Sequence, residues 1–69
     1  DPDNPEHRYL TAVLRAKMGD KRLAMSELFA ATALGFDDLD RIESETLFLN
    51  MLGGDPQFEA LIADLKRPK

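Results

Sequence analysis

An all-α domain is what this sequence predicts, on three observations. Apolar residues recur at three- and four-residue spacing along most of the chain. Two Asx-Pro pairs, Asn4-Pro5 and Asp55-Pro56, stand where helices would begin. No segment alternates apolar and polar residues with the two-residue period of a half-buried strand. At 69 residues the chain is near the lower limit for folding on one hydrophobic core. It has no cysteine to supply a disulfide or a thiolate metal site.

The first helix starts at Asn4-Pro5, a capping side chain followed by proline at the first helical position, with Glu6 in the first turn. It runs through HRYLTAVLRAKM and stops at Gly19. Asp20 caps the second helix, KRLAMSELFAATAL, which ends at Gly35, the residue type favoured just past a helix C-terminus. The stretch FDDLDRIESETLFLNMLGG is helical over its second half. Its start is open between Asp37 or Asp38 as cap of a helix from Leu39 to Leu52 and Ser44 as cap of a shorter one. Asp55-Pro56 opens the last helix, QFEALIADLK, with Lys66 and Arg67 favourably placed at its C-terminal end.

The first two helices each carry two apolar stripes. In the first, Tyr9, Ala12, Val13 and Ala16 share one face, and Leu10, Leu14 and Met18 form a second. In the second helix the stripes are Ala24, Leu28, Ala31 and Met25, Phe29. A helix with two apolar stripes needs neighbours on two sides, and alanine at a contact lets helix axes approach closely. A stacked array repeats that requirement at a fixed period. A shift of 34 residues places Gly19 on Gly53, Leu14 on Phe48, Met18 on Leu52 and Leu28 on Ile62. The small residues do not recur: Ala12 meets Thr46, Ala24 meets Phe58 and Ala31 meets Leu65. One well-formed unit (5–36) is thus followed by a degenerate one (37–69).

A helix-turn-helix of this period, with Ala12, Ala24 and Ala31 at its small positions, Gly19-Asp20 at its turn and Asp1-Pro2-Asp3-Asn4 at its junction, resembles the tetratricopeptide repeat. Arg8, Thr11, Arg15 and Leu28 depart from the bulky residues common at their places in that family. The segment LNMLGGDPQFEALIADLKR resembles the degenerate last unit that closes many such arrays. The resemblance implies two stacked antiparallel helical hairpins, a fragment of an α-solenoid. Residues 1–4 would be the remnant of a preceding repeat, and the chain a piece of a longer array. It also implies a non-catalytic module that holds a peptide or helix of a partner protein on a concave surface, with no cofactor. Carried onto this chain, that surface comprises Glu6, Tyr9, Val13, Ala16 and Lys17. Tyr9 is the most attractive contact, although a stacked helix would use Tyr9 and Val13 for packing in any case. Where carboxylate-clamping repeats need lysine and asparagine one turn apart, this chain has Tyr9 and Val13. The alternative function is structural: a C-terminal cap or homodimerisation unit within a larger, even enzymatic, protein.

Other chemistries find little footing. Thirteen acidic against nine basic residues give a net charge of −4, which argues against nucleic acid, whose binding rests on a basic face. Residues 37–64 hold eight acids and only Arg41, while Arg15, Lys17, Lys21 and Arg22 gather at the first turn. No apolar run approaches the ~20 residues of a membrane span. His7 has no companion for a metal site or catalytic pair, and Ser26 and Ser44 lack a histidine partner. FDDLDRIESE is not a calcium loop, since glycine and glutamate are missing at its sixth and twelfth places; its acids read as caps. An enzyme is therefore not expected of this segment.

Overall fold

The computed structural model describes residues 4–67 as five helices: α1 (Pro5–Lys17), α2 (Lys21–Ala33), α3 (Leu39–Ser44), α4 (Thr46–Leu52) and α5 (Pro56–Lys66). The all-helical class is as the sequence predicts. Most of the junction Asp1-Pro2-Asp3-Asn4 and the last residue of the basic tail, Lys69, lie outside the described residues.

Each helix start uses an acidic or amide side chain to satisfy a backbone N–H that the helix cannot pair. Asn4 Oδ1 accepts from the Glu6 N–H at 2.8 Å, Asp20 Oδ1 from Leu23 at 3.1 Å, and Asp55 Oδ1 from Gln57 at 2.8 Å. At the far end of α2, Gly35 adopts φ +109°, and the Phe36 N–H reaches back to the Ala31 carbonyl at 3.0 Å. This closure turns the chain so that Phe36 re-enters the interior.

Residues 39–52 form two helices rather than one. The break falls at Glu45 (ψ 104°), whose own carboxylate caps α4 by accepting from the Leu47 N–H at 3.3 Å. Ser44 closes α3 instead of capping α4, its hydroxyl donating to the Asp40 carbonyl at 2.7 Å. The reason is where the bulky residues must point. At about 100° per residue, a straight helix would turn Ile42 about 120° away from Phe48. The break lets Ile42, Phe48 and Leu52 all be fully buried.

The two glycines that align at the 34-residue shift have different tasks. Gly19 is in the left-handed region at φ +79° with open space around it. Gly53 has an ordinary φ of −58°, and a Cβ there would press onto the Leu49 carbonyl oxygen; the left-handed residue of that turn is Gly54.

α1 and α2 pack side by side, α4 lies against both, and α3 touches α4 and α5. Ala12, Ala24 and Ala31 have no exposure and Ala16 almost none, so the α1 and α2 backbones approach closely. Leu28, Ile42, Phe48 and Leu52 supply the core volume. Phe58, which stands at the Ala24 position in the second unit, is itself interior. Its bulk fills the core.

Replacing Ala24 by leucine inserts three carbons where no space exists. We predict a loss of about 1–3 kcal/mol in denaturant unfolding with unchanged helix content, as overpacked cores show.

Candidate interaction surface

Tyr9, the residue most attractive as a contact from sequence, is only 3 % exposed. Its ring stacks on Phe36 (centroids 4.4 Å apart, planes 8° off parallel) and meets Phe48 edge-on at 5.8 Å. The Arg41 guanidinium lies over the ring at 4.6 Å from the centroid, and the phenol donates to the Arg41 carbonyl at 3.3 Å. One side chain of α1 thus holds the turn after α2, α3 and α4. Burial pushes the Tyr9 phenol above its ordinary pKa.

Arg41 also reaches outward. Its Nη1 donates to Glu6 Oε1 at 2.7 Å, and this bond holds the Glu6 carboxyl below its usual 4.5 while raising Arg41. Two further cross-links fasten the remaining elements: Arg8 to Glu27 at 3.2 Å between α1 and α2, and Lys21 to Asp55 at 3.0 Å between α2 and the cap of α5. Asp55 is likewise held low, first by the Lys21 bond and then by the Gln57 N–H.

Of the five residues expected on a binding surface, Tyr9 and Ala16 are interior and Val13 is half-buried against the core. Glu6 lies at the edge, tied to Arg41, and Lys17 is exposed with no ion pair among the described residues. Between Val13 and α3 runs a cleft of about 250 Å³, bordered by Leu10, Arg41, Ser44 and Glu45. The second stripe of α1 is bare: Leu10, Leu14 and Met18 are 49 %, 54 % and 64 % exposed. It runs from the middle of α1 to its C-cap, on the side away from Ala12 and Ala16. Its existence was legible as a second apolar stripe. Its solvent exposure was not, because spacing shows that a face wants a neighbour and not whether the chain provides one.

A second apolar surface lies over the Met25, Phe29 stripe of α2; the stripe was legible in the sequence, but not the separation of α5 from it. α2 and α5 stand apart, leaving a trough of about 610 Å³ over Met25, Phe29 and Ala60, with Arg22, Ser26 and Gln57 on its rim. Its cause is tertiary, since it depends on where Lys21–Asp55 and the α3–α5 contact hold α5.

No protein family, no curated protein and no solved structure matches this chain.

Two predictions test the division between interior and surface. Tyr9→Ala should cost about 3–5 kcal/mol, the usual range for deleting a buried aromatic ring, read by chemical unfolding. The Glu6–Arg41 pair should stabilise fully above the unfolded carboxyl's value and lose its contribution as pH falls below about 4.5. The stability gap between the parent chain and Glu6→Gln should therefore narrow as pH falls below about 4.5.

Proposed function

We propose that this chain is a non-catalytic protein-interaction module of tetratricopeptide-like helical pairs, which holds a helix or peptide of a partner protein against α1. The contact surface consists of the Leu10, Leu14, Met18 stripe flanked by Glu6, Val13 and Lys17. Tyr9 and Ala16 act beneath it by keeping α1 straight and fixed. The carrying observation is a helix anchored by its inner face that leaves three large apolar residues in one exposed row. Such a row is the pattern an amphipathic partner helix recognises, with anchors at i, i+4 and i+8.

A second reading, the structural cap, is favoured by one specific comparison within the chain. Phe48 and Leu52 of α4 are fully buried where α4 meets α1 and α2, and the 34-residue shift equates them with Leu14 and Met18. The exposed stripe then corresponds to the side by which α4 docks. An alanine-lined helix pair of the kind α1 and α2 present would cover it, as the closing unit of an array requires.

Selection from a displayed library of helical peptides tests the reading. Binders should emerge that lose at least about tenfold in affinity on Leu14→Glu, while helix content stays that of the parent. A library that yields no binder, or only binders indifferent to Leu14→Glu, would overturn it.

A further inference from the structure

We infer that the occupant of the exposed α1 stripe is a second copy of α1, packed antiparallel about a two-fold axis with Leu10 of one copy opposite Leu14 of the other. This rests on the reading of α1 as an interaction face and names its partner.

Charge along the helix selects this occupant. α1 is acidic at its N-terminal end, at Glu6, and basic at its C-terminal end, at Arg15 and Lys17. Glu6 and Lys17 are eleven residues apart, close to three full turns, so they stand on the same flank of the stripe. In an antiparallel pair related by a two-fold axis, that flank meets its own copy. Setting Leu10 against Leu14 brings Glu6 of each helix level with Lys17 of the other, and lays Met18 over the partner's first turn. A parallel pair about a two-fold axis would instead set this flank against the opposite flank of its copy and keep Glu6 and the partner's Lys17 at opposite ends.

Three further features fit. Lys17 has no ion pair of its own among the described residues. Glu6 gives Arg41 only Oε1, leaving its second oxygen for a partner's ammonium group. Glu45, on the rim of the neighbouring cleft beside Leu10 and Val13, has no ion pair among the described residues and is a further acid near the stripe. Antiparallel alignment also sets opposite ends of the two helix dipoles side by side. The α2–α5 trough, by contrast, mixes Lys21, Arg22 and Asp55 on one rim and selects no charge.

One helix pair of this length is a small interface, so association should be weak and depend on concentration. Light scattering on the 69-residue chain should show the mass rising toward twice the monomer value between about 10 µM and about 1 mM. Leu14→Glu, at an exposed position, should hold the mass at the monomer value with unchanged circular dichroism. Lys17→Glu should raise the dissociation constant about tenfold at low salt and less at high salt. Since the chain has no cysteine, Leu10→Cys and Leu14→Cys proteins mixed under mild oxidation should form the mixed disulfide ahead of either homodimer.

A mass that stays monomeric to 1 mM, or a dimer unaffected by Leu14→Glu, overturns the inference. If the chain is monomeric yet captures displayed helices in a Leu14-dependent way, the second copy is the wrong occupant and the interaction face stands. Preferential like-with-like disulfides would overturn the antiparallel register.

Discussion

The burial of Tyr9 is the constraint on which the rest of this structure depends. Its ring stacks on Phe36, meets Phe48 edge-on and lies against the Arg41 guanidinium, which also touches Phe36, so one residue of α1 fixes the turn after α2 and both short helices that follow. The phenol hydroxyl can be accommodated because the α3 backbone offers it the Arg41 carbonyl. In a chain this small, few apolar contacts span the two halves, and this cluster holds several of them. A tyrosine held in internal packing cannot also anchor a ligand, so an outward contact of α1 would have to use its other stripe.

The two sides of α1 differ in side-chain size for a physical reason. Toward α2 and α4 it presents Ala12 and Ala16, which permit close helix contact and bury little area themselves. Away from the core it presents Leu10, Leu14 and Met18, long side chains with more apolar surface than a solvated face needs. Burying them would give back hydrophobic free energy that folding of the single chain leaves unused. The interaction-module proposal, its cap variant and the self-association inference are three accounts of what collects that free energy.

Local chemistry made much of this legible beforehand. Asn4-Pro5, Asp20 and Asp55-Pro56 announce three helix starts because capping is settled within three or four residues. The alanine face of α1 and α2 followed from spacing alone. Legibility failed where distant residues decide. The kink at Glu45 answers the need to aim Ile42 and Phe48 at one core; the sequence offered a break there only as one of two alternatives, with Ser44 as cap, one residue before the side chain that caps α4. Arg41, 32 residues from Tyr9, reads in sequence as a lone base among acids, and its place over the tyrosine ring is set by how α3 returns to α1. The candidate surface was half legible. Glu6, Val13 and Lys17 flank the exposed stripe, while Tyr9 and Ala16 share their helix face but lie on its inner side, toward the core.

Solvent accessibility measured residue by residue in dilute solution would show directly which face of α1 is buried. A soluble paramagnetic agent should relax the Leu10, Leu14 and Met18 methyl protons strongly and the Tyr9 ring little. A Tyr9 ring relaxed as strongly as the Leu14 methyls would contradict this arrangement, because the aromatic cluster would then be open and α1 would present its other face.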